Sequence, residues 1–526
     1  LAIETEDGDT LSLLDRITHH YTTGLSTVEV ASQNVNRIVD EFVKFFSEGK
    51  NNPKGEYNTY IISKSNHIDK LNDLQSWLDK NGIQYGTASA SRSYKGFNYK
   101  TGETGSVKIN VGDLVISANQ SKSVLVQVLF EPQTTLRDTL TYDLTAWAIP
   151  YVYGLDAVAV KSDVKMSTAK RLVSKTEKSS GVPYAYILPW KGIWDVKFLS
   201  VLFKNDVVVR VTEEPFELNG KTFDSGTLVI TRKGNEKLGK NFDHIIQKAA
   251  LEKHRNLTVA STGFVTKGKD FGSCSMRVVK AQKIGLVSGE GVSSYRYGEV
   301  WHFFERQIEF PITVIDSDYF NRIPKHDFDV IILSSGSHGY VNKETVNELR
   351  GWVKKGGRLI LMDSAMDQFV DKDGFGLKRF ATEDEKKASE EKNKNRKLTE
   401  RLKSYKDRQR DRLSENAYGS IVKIEMDPSH PLAFGYGDDY FSLRIRNHHY
   451  AFLPDGWNVG VTHDSTALVS GFVGIKAQEN FRESMVVGVE SMGRGNVVYL
   501  ADNPLFRAFW RNGKLLFGNA VFIVGN

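Results

Sequence analysis

KIGLVSGEG (Lys283–Gly291) and DVIILSSGSHG (Asp329–Gly339) decide how this chain is read. Each is a short uninterrupted apolar run that ends in small residues. Runs without polar alternation are strands covered on both faces. Between them, SSYRYGEVWHFFERQ (Ser293–Gln307) carries Val300, Phe303 and Phe304, followed by Ile308, at helical spacing, and PITVIDSDYF (Pro311–Phe320) supplies another strand. VNKETVNELRGWVKKGG (Val341–Gly357) is a helix closed by glycines, and RLILMDS (Arg358–Ser364) is a fourth strand. Alternating strands and helices predict a doubly wound, flavodoxin-like parallel sheet, with the SGEG and SSGSHG turns at its carboxyl edge, where such sheets bind ligands. Gly289, Glu290, Gly291, Ser335, Gly336, Ser337 and His338 are therefore the candidate ligand-binding residues. The glycines permit a tight turn, and a helix start suits an anion. His338 beside the serines leaves open a Ser and His hydrolase or amidase.

Two earlier stretches repeat an order of their own. From Tyr57 it runs strand (YNTYIIS), helix (HIDKLNDLQSWLDKNG), strand (Ile83–Tyr85), a hairpin containing KGFNY, and the apolar GDLVISAN. From Tyr184 it runs YAYILPW, VKFLSVLFKND, VVVRVTEE, a hairpin containing GKTF, and SGTLVITRKGN. The match predicts an internal duplication, 51–160 and 161–278, again with parallel sheets and crossover helices. Ahead of it, residues 21–48 place Leu25, Val28, Val35, Ile38, Val39, Phe42, Val43 and Phe46 on one face of an amphipathic helix. GKNNPKGE from Gly49 ends it. Behind it, the unit 279–526 contains a charged insert, 378–416, whose mixed signs read as a solvated excursion. A tail of short strands follows from Tyr418. The fold class is thus α/β: repeated parallel-sheet units with a β-rich tail.

The chain has 526 residues, 40% of them hydrophobic and 25% charged, which places it among globular proteins of several domains. Its net charge of +6 is small for that length and argues against nucleic acid partners. No apolar run is long enough to span a membrane. The single cysteine, Cys274, excludes an intrachain disulfide and a CxxC metal site.

GLVSGEGVSSYRYGEVWHFFE (Gly285–Glu305), DVIILSSG (Asp329–Gly336), GGRLILMD (Gly356–Asp363) and ADNPLFRAFWRNGKLLFGNAVF (Ala501–Phe522) resemble the C-terminal portion of bacterial zinc carboxypeptidases of the carboxypeptidase A-like family, best represented in Bacteroidetes-type genomes. In these large secreted proteins a class I glutamine amidotransferase-like unit follows the peptidase domain. YDLTAWAIPYVYGL (Tyr142–Leu155) and TTGLSTVEVA (Thr22–Ala31) extend the resemblance, which makes residues 1–50 the last helix of the peptidase domain.

The resemblance implies an extracytoplasmic protein, periplasmic, at the cell surface or secreted, with the upstream peptidase domain as a partner and a larger envelope assembly as another. It also implies that the zinc ligands, an HxxE pair and a later His, stand upstream with the catalytic Glu and the carboxylate-clamping Arg. No catalytic residue, metal ligand or cofactor is then expected on this chain. Its expected role is that of a non-catalytic accessory and scaffold region. Active amidotransferases place a Cys at the turn that here reads LSSGSHG, and Cys274 stands elsewhere, in FGSCSM. Three weaker candidates are solvated or packed side chains in the plainer reading: the HxxE pair His302 and Glu305, the set His448, His463 and Asp464, and the paired Asp438 and Asp439. His19 and His20, ahead of the helix face, are read the same way.

Overall fold

The computed structural model describes residues 2–134, 143–169, 182–379, 408–463, 465–478 and 483–525, together with Asn395 and Tyr405. Most of the charged insert 378–416, and Asp464, therefore lie outside the described residues.

The chain opens with a hairpin, β1 (Ala2–Glu4) and β2 (Thr10–Ser12), and two helices, α1 (Leu13–Gln33) and α2 (Val35–Asn51). Ser12 and Asp15 form a reciprocal cap that fixes the start of α1. The amphipathic stretch expected over 21–48 is thus parts of two helices joined at Asn34. α1 buries no residue at all.

The first unit comprises β3 (Thr59–Ile62), α3 (Ile68–Lys80), β4 (Gly86–Ala88), β5 (Arg92–Asn98), β6 (Glu103–Ile109), β7 (Leu114–Ser117), α4 (Ser123–Phe130), α5 (Ile149–Tyr153), β8 (Ala157–Val160) and β9 (Met166–Thr168). Its sheet runs β6-β5-β8-β3-β7-β4-β9. The second comprises β10 (Ala185–Leu188), α6 (Ile193–Lys204), β11 (Val209–Thr212), β12 (Phe216–Leu218), β13 (Lys221–Phe223), β14 (Leu228–Thr231), α7 (Phe242–Glu252), β15 (Thr258–Ala260) and β16 (Met276–Val279). Its sheet runs β15-β10-β14-β11-β16. Element for element, this is the order β8-β3-β7-β4-β9 of the first.

Parallel pairing, expected for both units, is corrected here: every pair in both sheets is antiparallel. Strands β10 and β11, joined by α6, do point the same way, but β14 lies between them. This is the split βαβ, ferredoxin-like arrangement. The runs LVIS and LVIT look like strands of a parallel sheet because both faces are covered. Helices cover one face of each, and a hairpin covers the other: β6 through Val107 and Ile109 over LVIS, and β12–β13 through Phe216, Leu218 and Phe223 over LVIT.

The third unit does hold the parallel sheet. It contains β17 (Ile284–Ser288), α8 (Ser294–His302), β18 (Thr313–Asp316), α9 (Ser317–Phe320), β19 (Val330–Leu333), α10 (Lys343–Lys354) and β20 (Arg358–Met362). The tail adds β21 (Ala417–Met426), β22 (Asp439–Arg444), β23 (Gly456–Thr462), β24 (Leu468–Val473), β25 (Ser484–Met492) and β26 (Gly495–Leu500). Strands β18-β17-β19-β20-β26 are parallel, and β25-β23-β21-β22 continue the same sheet antiparallel. The β-rich tail is an extension of the third sheet. The whole is a mixed α/β molecule with several sheets.

The aromatic connection before β8 ties the first unit to that extension. Thr145 and Ala146 donate their amides to the carbonyls of Tyr418 and Gly419, at 2.9 and 3.0 Å, and the Tyr151 ring lies 4.8 Å from that of Phe441. Arg255 joins the first two units: buried at 5% exposure, it grips both oxygens of Asp69 on α3 and reaches Asp195 on α6 at 2.9 Å.

Candidate functional site

The structure brings the two strand-end turns together. Gly289 (φ 99°) and Gly291 (φ 78°) reverse the chain after β17, a backbone that favours glycine. Val292 bridges to Gly336 after β19. Four of the amides here are spent inside the turns. Val292 donates to Gly289, Ser293 to Ser335 and His338 to Gly291, at 3.0–3.2 Å, while Gly336 donates to Ser364 Oγ at 2.9 Å. A Cβ at Gly336 would overlap the Gly291 carbonyl oxygen. Glu290 is exposed at the rim.

His338 is fully buried in a left-handed conformation, φ 44°. Its Nε2 lies 2.6 Å from the Ser334 carbonyl, so that nitrogen carries the proton and donates. Nδ1 then accepts from Tyr340 Oη at 2.7 Å. Burial pushes the imidazole below its ordinary pKa, and the bond to Ser334 offsets this only in part. With both nitrogens committed, no base stands beside a serine. Ser335 Oγ pairs with Ser364 Oγ at 2.7 Å, and Ser337 Oγ faces the Gly291 carbonyl at 3.5 Å. The Ser and His pairing open in the sequence is not assembled.

The other sequence candidates are dispersed. His302 Nδ1 takes a bond from Gln307 Nε2 at 2.9 Å, and Glu305 is exposed. Burial depresses the His302 pKa, with Lys514 and Arg306 adding to it, an environment hostile to a zinc ion. This pair does not fit the group. His448 is buried 3.5 Å from Asp502, whereas His463 is exposed and pairs with Glu425 at 3.0 Å. Asp439 pairs with Lys423 at 3.1 Å. His19, His20 and Cys274 are exposed. Among the described residues no group of three or more His, Cys, Asp or Glu side chains is placed to hold a metal. No helix among them is long and apolar enough to cross a membrane.

Sequence reasoning passed over a cleft where all three units meet. His67, Asp69, Lys70 and Asp73 reach it from the first unit, Lys191 and Trp194 from the second, and Tyr436, Arg511 and Asn512 from the third. Asp73 accepts from Arg511 at 2.7 Å and from Trp194 Nε1 at 3.2 Å. Burial lowers Lys70 to a pKa of about 8, and its ammonium donates to the Gly154 carbonyl at 2.8 Å. The signal available was Arg511 and Lys514, cations just ahead of the apolar run LLFGNAVFIV, of which Arg511 lines this cleft.

No protein-family model matches the chain, and no curated protein does. Among solved structures it is similar to a glutamine amidotransferase from Thermotoga maritima, at 8% identity over 46% of this chain and 99% of that one, TM-score 0.28. A putative GMP synthase component from Thermoplasma acidophilum shares 11% identity over 46% of this chain and 92% of that one, TM-score 0.25. An exo-β-1,4-mannosidase from an Opitutaceae bacterium shares 11% over 54% of this chain, TM-score 0.25, and the chain spans 40% of its length. At such values the fold rests on the chain's own strand order.

Proposed function

We propose that this chain is a non-catalytic accessory and scaffold region of an extracytoplasmic zinc carboxypeptidase-like protein, with its amidotransferase-like unit kept for architecture. Zinc and the hydrolytic step belong, in this reading, to a peptidase domain that packs against α1 and α2. One observation carries it: the apolar face of these helices is bare. Leu14 is 71% exposed, Leu25 56% and Phe42 62%, alongside Ile17, Val28, Ile38 and Val39. Covering one such side chain is worth about 1.5–3 kcal/mol, and a contiguous bare face of this size marks an interface. The closed turns at Gly289–Gly291 and Ser335–His338 support the same reading, since they offer no activated nucleophile.

Intact mass and metal content of the native protein test it. The expected product exceeds 59.2 kDa and carries one zinc per chain. A zinc-free native protein of 59.2 kDa that released C-terminal residues from peptides would overturn the proposal.

A further inference from the structure

Next to the junction cleft lies a cavity of about 300 Å³ bounded by Lys197, His302, Arg306, Arg511 and Lys514, with Trp194 and Gln307 also on its wall. No lining residue is acidic. Two of the cations are neutralised from behind: Lys197 pairs with Glu309 at 2.7 Å and Arg511 with Asp73 at 2.7 Å. Two are left over. The Lys514 ammonium has no hydrogen bond or ion pair among the described residues although the residue is only 4% exposed, and Arg306 has none either. A buried ammonium with no direct partner is costly, and the Asp73 carboxylate, already paired with Arg511, offsets only part of that cost, so a fold that keeps one has a use for it. Burial, with Arg511 adding to it, lowers Lys514 to a pKa of about 7.

The backbone around the cavity is irregular as well. A π-turn, Phe303–Ile308, presents Arg306 and Gln307, and π-turns concentrate at functional sites. Ala508 (φ 58°), on the cavity wall, and Arg507 (φ 46°) before it are consecutive non-glycine residues held left-handed. Such strain persists where the surroundings enforce it and clusters at ligand sites. Gln307 Oε1 is buried without a hydrogen-bond partner.

We propose that this cavity binds the phosphate group of a small phosphate ester, held between Lys514, Arg306 and Arg511 with its hydroxyls toward Gln307. A dianion can meet the buried Lys514 ammonium and the exposed Arg306 guanidinium at once, whereas the single charge of a carboxylate matches only one of them. The volume suits a small molecule.

The test is calorimetric titration of the 526-residue chain with inorganic phosphate against sodium chloride at matched ionic strength. Phosphate-specific binding is expected, weakened at least ten-fold in Lys514→Met, which keeps the aliphatic stem, and several-fold in the exposed Arg306→Gln. Sulfate, a tetrahedral dianion of constant charge, is expected to bind less tightly as pH rises through 7 and Lys514 loses its proton. Absence of a phosphate response, equal affinity in both variants, or pH-independent sulfate binding would each overturn the assignment.

Discussion

The turns at the ends of β17 and β19 and the cavity between α6, α8 and Lys514 are opposites. The first is made from two neighbouring loops of one unit, and its own backbone fills it. The second is made from side chains of three distant segments, and two of its cations, Lys514 and Arg306, have no direct partner. In the first, both His338 nitrogens and the Ser335 hydroxyl are matched locally, which leaves no base to activate a serine. In the second, packing two units together has buried an ammonium, Lys514, that no carboxylate pairs with directly. Resemblance to a catalytic turn is therefore a poor guide to where this molecule meets a ligand, and unmatched polar groups are a better one.

The comparison can be broken first at Arg255, which makes the junction possible. Arg255→Met leaves Asp69 and Asp195 buried together, and burial already raises the Asp195 pKa. The expected loss is about 3–5 kcal/mol, read from urea denaturation. A loss under about 1 kcal/mol would mean that the first two units do not depend on this bridge.

Gly336→Ala attacks the closed turns. Its methyl group must push the two loops apart, at an expected cost of about 1–3 kcal/mol in the same measurement. A neutral result would show that the turns are looser than their hydrogen bonds imply.

Acid sharpens the contrast at His338. Its folded pKa is below the unfolded value of 6.5, so below about pH 6.5 the unfolded chain binds the proton more readily, and stability falls as pH drops. His338→Gln is expected to flatten that part of the stability profile. An unchanged profile would place a protonated imidazole at the turn.

Ser335→Ala should do least. Removing one partner of the Ser364 bond is expected to cost about 0.5–1.5 kcal/mol and nothing else.

How much of this was legible follows from the same contrast. KIGLVSG and DVIILSSG gave their strands away because unbroken Ile, Leu and Val runs flanked by small residues fit a sheet covered on both faces. LVIS and LVIT have the same composition, yet their sheets are antiparallel, because a hairpin does the covering that a second helix layer would do in a doubly wound fold. Pattern reports burial and says nothing of direction. The strand-end turns could be placed, but their chemistry could not. Which atom takes each His338 nitrogen depends on Ser334 and Tyr340 in a backbone with positive φ. The cavity was beyond reach, since Lys197, Arg306 and Lys514 are brought together only when α6 packs beside the π-turn and the final helix, Asn512–Gly518. Arg511 and Lys514, at the head of an apolar run, marked the place.

No serine in the strand-end turns is activated, and on this the contrast depends. A fluorophosphonate probe tests it directly, because it modifies only a serine whose proton a neighbouring base removes. Mass spectrometry of the treated 526-residue chain should find Ser334, Ser335 and Ser337 unmodified. A stoichiometric adduct on Ser335 or Ser337, lost in His338→Gln, would contradict it.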